Sequence, residues 1–339
     1  MKIIAEMAWG HDGSVTQAIE LLCAAKKAGA DLFSIHITDL PSYMVNYYGS
    51  GEGKVSAGRE ELDVYKYLTQ INLTEDEWEI FAKEAKNCSM PLCVMPNDSK
   101  SLRFSEEKIN PDAYVISAAC FVEVDFLEEV AKLGKLTFFR IGGAYLGEIE
   151  KAIEVFKKNG NQNVVLLYGF QNYPTKLEET NLAFLRTLNK MFNLEVGLAD
   201  HIDGADELAI IVPSLATAYG ATYIEKHITL DRKAKSEDFE SALDPVQFEK
   251  MGNLIKASEI AIGKSYITEL SAATLRYRQV SRKRIVANSD LNQGHVLGFN
   301  DLIFKRCDIG LTPDQVDTII GRSLKQNVKK DDAITLNLI

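Results

Sequence analysis

The sequence predicts an α/β protein, an eight-stranded β/α barrel followed by a small β-rich module. Short β-branched runs alternate with amphipathic stretches, the order that builds a parallel sheet covered by helices. Eight such units can be counted in residues 1–265, close to the ~250 residues typical of a closed barrel. Beyond them the rhythm breaks, and a basic polar stretch leads into a shorter run of strands and turns.

Taken in order, the expected strands are 3–6, 32–37, 92–95, 113–117, 136–140, 164–168, 194–198 and 222–225. The helices between them are expected at 15–28, 75–86, 126–132, 148–158, 178–192, 207–219 and 245–262. Thr74 followed by Glu77 reads as a capping box, and Gly29 and Gly160 stand where a left-handed C-terminal cap belongs. This many strand–helix units favour a closed barrel over an open doubly wound sheet. Residues 266–284, with the run SAATLRYRQVSRKR, read as a solvated linker. Residues 285–339 form a separate unit that is small for independent stability. Docking on a barrel, its own or a partner's, would supply the missing burial.

Composition narrows the function classes. With 46% hydrophobic and 25% charged residues the chain can bury a core without disulfides or a structural metal. A net charge of −10 and the lack of a Lys/Arg block exclude a polyanion-binding surface, so nucleic acid is not an expected partner. No apolar leader and no run of about 18 apolar residues is visible, which gives the expectation of a cytoplasmic protein that does not enter membranes. Five cysteines (Cys23, Cys88, Cys93, Cys120 and Cys307), none in a CxxC pair, are expected as reduced thiols.

In a β/α barrel the C-terminal strand ends converge on one mouth. Glu6 ends the first strand, His36 the second, and Arg140 the fifth; Asn97, Asp98 and Cys120 follow the third and fourth. Tyr168, Gln171 and Tyr173 belong to the sixth, Asp200 and His201 to the seventh, Glu225 and His227 to the eighth. Two imidazoles from neighbouring strands, with Glu6 or Glu225 nearby, are a donor set for a divalent metal with open positions for water and substrate. The plainer reading makes each a hydrogen-bonded histidine in a cleft. His11 either caps a loop or touches substrate, and His295 is expected in solvent. Trp9, Trp78, Tyr43, Tyr47 and Tyr48 read as packing, although the glycine-hinged segment 43–53 also has the makings of a lid.

The segments IAEMAWGHDG, GADLFSIHI, NYPT, GLADHIDG, GATYIEKHITLDR and SEDFESALDP, with the C-terminal FKRCDIGL and IIGRSLKQNVKKDD, resemble the sialic acid synthase family from end to end. The last two resemble its antifreeze-like, or SAF, module. The resemblance implies a TIM barrel with a SAF domain and an enzyme that condenses phosphoenolpyruvate with an N-acetylated aminosugar. It implies Mn²⁺ or Mg²⁺ on His201 and His227, with Glu6 and Glu225 as catalytic carboxylates. It further implies sugar contacts at Tyr173 and Asp238, and a domain-swapped homodimer in which Arg306 of the module reaches a neighbouring subunit's site.

Departures from the family pattern gather where it binds phosphoenolpyruvate. The family's KFQ is here Ser34-Ile35-His36, its Ser-Thr-Pro is Val94-Met95-Pro96, and its Lys-Ile-Gly-Ser-Gly-Glu is Val115-Ile116-Ser117-Ala118-Ala119-Cys120. Its Ser-Thr-Gly is Arg140-Ile141-Gly142; Ala199 replaces a serine, and Gln171 an asparagine or serine. A phosphate needs several converging donors, and Arg140 is the new cation able to meet an anion bidentately. Three functions follow: a synthase using a phosphoenolpyruvate-type donor, a metal-dependent aldolase or epimerase that does not, and a catalytically silent sugar-binding homologue.

Overall fold

The computed structural model describes residues 1–48, 63–169, 174–267 and 269–339. It contains two compact units, Met1–Gly263 and Lys264–Ile339. In the first, β1 (Lys2–Glu6), β2 (Leu32–Ile37), β3 (Leu92–Pro96), β4 (Ala113–Ile116), β5 (Leu136–Arg140), β6 (Val164–Tyr168), β7 (Glu195–Asp200) and β8 (Ala221–His227) pair in chain order. β8 then returns to β1 in parallel, with His227 opposite Glu6, and the barrel closes.

Closure follows from strands that are apolar on both faces. One alternate set, including Ile4, Met95, Val115, Phe138 and Leu167, fills the barrel interior. The other, including Ile3, Phe33, Tyr114, Phe139 and Ile224, packs beneath the helices. Helix ends obey local chemistry. Thr74 and Glu77 cap Glu75–Asn87 reciprocally, and Gly29 and Gly160 adopt φ of +89° and +81° after their helices.

The structure differs from the sequence expectation in several stretches. The helix expected over 178–192 is a 3-10 turn, Leu177–Glu179, and then a helix over Phe184–Phe192. Thr180 and Asn181 bond the carbonyls of Leu177 and Glu179, a local alternative to helical bonding. Short helices at Leu40–Tyr43, Val64–Ile71 and Ser99–Phe104 were not expected; the last is capped by the Asp98 carboxylate. Strands β7 and β8 run two residues beyond expectation, to Asp200 and His227. The stretch 266–284 is not plain spacer: Ala272–Ser281 is a helix capped by Ser271, and it buries no residue.

The second unit has its own core, with Ile285, Ala287, Leu297, Ile319 and Ile334 inside. It is built on an antiparallel pair, β9 (Lys283–Ala287) and β10 (Leu302–Arg306). Among the described residues no helix is long and apolar enough to cross a membrane, and the cysteines are free thiols.

Candidate active site

Inward positions of the last turn of the barrel bring polar side chains together at its C-terminal mouth. Glu6 on β1 is fully buried: Oε1 accepts the Ala8 N–H at 2.7 Å and lies 3.4 Å from His36 Nε2. Oε2 takes Arg140 Nη2 at 2.5 Å. The same Nη2 lies 2.7 Å from Glu225 Oε1, a second ion pair. Arg140 is thus held by two carboxylates in the buried floor of the mouth. The expectation that it offers its fork to an incoming anion must be set against these two internal partners.

Burial pushes Glu6 up, but Arg140 and His36 bring its carboxyl below the ordinary value. Burial and the neighbouring Glu6 push Glu225 up to about 7 against the pull of Arg140. Two carboxylates against one guanidinium are therefore driven apart by environment, Glu6 downward and Glu225 upward. His36, buried and facing Arg140, falls to about 4 despite Glu6.

Across the mouth, His201 and His227 meet with their Nε2 atoms 3.2 Å apart. Backbone contacts fix both: the His201 carbonyl accepts Thr175 N–H at 2.8 Å and the Ser241 hydroxyl at 2.9 Å, and the His227 carbonyl accepts Leu243 N–H at 2.9 Å. Burial, then His201 and Arg140, depresses the His227 imidazole well below its usual value, so it is a neutral ring of the kind that ligates metals. Asp238 Oδ2 lies 3.9 Å from His227 Nδ1, and burial followed by Glu237 raises its carboxyl. Its backbone adopts φ of +59°, held by the turn that carries it beside the histidines. Gly204 permits that turn, because a Cβ there would stand 2.1 Å from the Ala242 carbonyl oxygen. Two convergent imidazole nitrogens fit a divalent cation. Among the described residues no third His, Cys, Asp or Glu joins them in a ligand cluster.

Other expected residues separate. Gln171 and Tyr173 lie outside the described residues, as does the part of the 43–53 segment beyond residue 48. Arg306, on β10 of the second unit, donates to the Val280 carbonyl at 3.0 Å. Asp200 does not face the mouth as expected; it points to the opposite side of β7, against Lys226. Tyr168 likewise packs edge-on against Phe184. Asn97 bonds Thr38, and Cys120 bonds the Asn97 carbonyl, so both serve the loops of the mouth. His11 is wholly buried beside Trp9 and Trp78, accepting the Gly13 N–H on Nδ1. His295 is exposed, as expected, and pairs with Asp301 at 2.8 Å. Sequence reasoning missed Lys226, although its place directly before His227 in a strand signals the opposite face.

Comparison with known proteins agrees with this architecture. The NeuB family model matches residues 21–266 and the SAF domain model residues 282–339. An uncharacterized protein of Methanocaldococcus jannaschii is 31% identical, covering 98% of this chain and 92% of its own. Pseudaminic acid synthase of Campylobacter jejuni is 30% identical over 98% of this chain and 94% of the relative. The solved N-acetylneuraminic acid (sialic acid) synthetase of Leptospira borgpetersenii serovar Hardjo-bovis shares the fold, with a TM-score of 0.71 at 24% identity over 83% of this chain and 92% of that one.

Proposed function

The chain belongs to the NeuB family, and from that premise we propose that it is an enzyme of nonulosonic-acid or related surface-sugar biosynthesis, a metal-dependent synthase that joins a phosphoenolpyruvate-type donor to an N-acetylated aminosugar. The observation that carries the reading is the pair of Nε2 atoms of His201 and His227, 3.2 Å apart. The name of the Campylobacter relative supports it. Mn²⁺ or Mg²⁺ on this pair would polarise the carbonyl of the open-chain sugar. Asp238, whose Oδ2 lies 3.9 Å from His227 Nδ1, contributes a sugar contact. Glu6, an ionised acceptor, orients water or a sugar hydroxyl, and Glu225 supplies or takes a proton at its carboxyl. Tyr173, Gln171 and His36 complete the substrate contacts of this proposal.

Incubation with phosphoenolpyruvate, Mn²⁺ and a panel of N-acetylated aminosugars tests it, with phosphate release as the readout. Release that requires both substrates is expected. Absence of release with every sugar favours a second reading, an aldolase- or epimerase-type enzyme that does not use phosphoenolpyruvate; the double carboxylate contact of Arg140 is the observation that favours it.

The same proposal includes a homodimer in which the SAF modules are exchanged and Arg306 serves the partner's barrel. Mixing an Arg306→Ala subunit with a His201→Ala/His227→Ala subunit checks it. One site of the heterodimer then collects every defect and the other none, so activity returns on subunit exchange.

A further inference from the structure

Lys226 is fully buried at 0% exposure, and the proposed chemistry gives it no task. Its Nζ donates to Asp200 Oδ2 at 2.5 Å and to the Ile202 carbonyl at 2.8 Å. Asp200 and Lys226 are register partners on β7 and β8. Each is followed in sequence by one of the two paired histidines.

Successive side chains of a strand take opposite sides. Tyr223 lies with the barrel interior and Ile224 with the helix layer, so Glu225 and His227 turn inward while Lys226 turns outward. We infer that the Lys226–Asp200 pair is a positioning clamp for the histidine pair, tying the end of β7 and the turn after it to β8 from outside the barrel and so setting the spacing of the imidazoles inside. The metal-binding purpose rests on the function proposed above; the geometry does not.

Stability alone gives no reason for the pair. A lysine stem normally carries its charge to water, and a buried ion pair is often matched or bettered by apolar side chains of similar volume. Directed bonds do what apolar packing cannot. The carboxylate of Asp200, the carbonyl of His201 and the carbonyl of Ile202 are each bonded, from Lys226, from Thr175 and Ser241, and from Lys226 again. Three successive residues are thereby fixed around one ligand. The outward, doubly bonded amine also has no path to a substrate in the mouth, so Lys226 is not a Schiff-base lysine.

Lys226→Met alone strands a buried carboxylate and is expected to fold poorly. The decisive variant is therefore Lys226→Met with Asp200→Leu; should that pair not fold, Lys226→Gln with Asp200→Asn replaces it. Titration with Mn²⁺, followed by loss of the free-ion electron paramagnetic resonance signal, is expected to show at least about tenfold weaker binding by the folded variant, as outer-shell losses do. A crystal structure of the metal-free variant is expected to show the two rings no longer facing each other. Unchanged Mn²⁺ affinity, or unchanged ring positions, overturns the clamp. If the unaltered protein binds no Mn²⁺, the metal reading fails and the ring positions alone decide the inference. Borohydride trapping with pyruvate or sugar should leave Lys226 unmodified, and a label on it would overturn the assignment.

Discussion

The two arcs of the barrel mouth are built by different rules. Along β7 and β8, His201, His227, Glu225 and Asp238 bring donors and acceptors together, and backbone bonds to both histidine carbonyls hold them in place. Along β2 to β5, Met95 and Val115 are buried apolar residues of the barrel interior. Arg140, on that arc, is held by Glu6 of β1 and Glu225 of β8. A carbonyl coordinated to a metal suits the first arc. A phosphate entering the second would have to find new donors or draw Arg140 away from two carboxylates, and an unmet buried oxyanion is costly. The chemistry offered by one arc can therefore change while the other and the fold stay the same.

Removing the first arc's donors gives the largest expected effect. The His201→Ala/His227→Ala protein should lose tight Mn²⁺ binding altogether, since even outer-shell changes cost about 10–100-fold. Equal binding by that variant and the unaltered protein would erase the contrast between the arcs.

Donor affinity comes next. Each missing charge-assisted contact costs roughly 1.5–3 kcal/mol, so two such losses weaken phosphoenolpyruvate by about two to four powers of ten relative to a fully built cradle. Calorimetry with Mn²⁺ present measures it. Micromolar affinity would reveal that the second arc binds anions by contacts of its own.

The smallest effect is on stability against pH. Burial holds His11 and His36 at about 4, against ordinary values of 6.5. Between those values the unfolded chain binds protons that the folded chain does not, so stability falls as pH drops through this window. At pH 5 the loss is on the order of 2 kcal/mol for each histidine. Urea unfolding at pH 7 and pH 5 should show it, and a His11→Asn variant should lose less on acidification. An unchanged midpoint would mean that these rings charge freely in the fold.

Most of the barrel is legible because apolar strands and amphipathic helices differ in period and because Thr74, Gly29 and Gly160 announce helix ends. Inward placement of Glu6, His36, Arg140, Glu225 and His227 follows from strand ends alone. What stays hidden is which polar groups meet. Nothing local in the sequence says that Arg140 spans the barrel to Glu6, 134 positions away. Alternation along β7 turns Asp200 outward to Lys226, although it stands directly before a histidine of the mouth. The helix Ala272–Ser281 is invisible to periodicity since it buries no face.

The alternation along β8 also shapes how this chain can vary over time. A side-chain replacement there alters one group and leaves its neighbours facing as before. Insertion or deletion of one residue between Tyr223 and His227 would shift the pattern by half a period. Lys226 and His227 would exchange faces, with the charge driven into the barrel and the imidazole into the helix layer. Lineages carrying this site are thus expected to drift in residue type along the strand while its length stays fixed, leaving changes of length to the connecting loops.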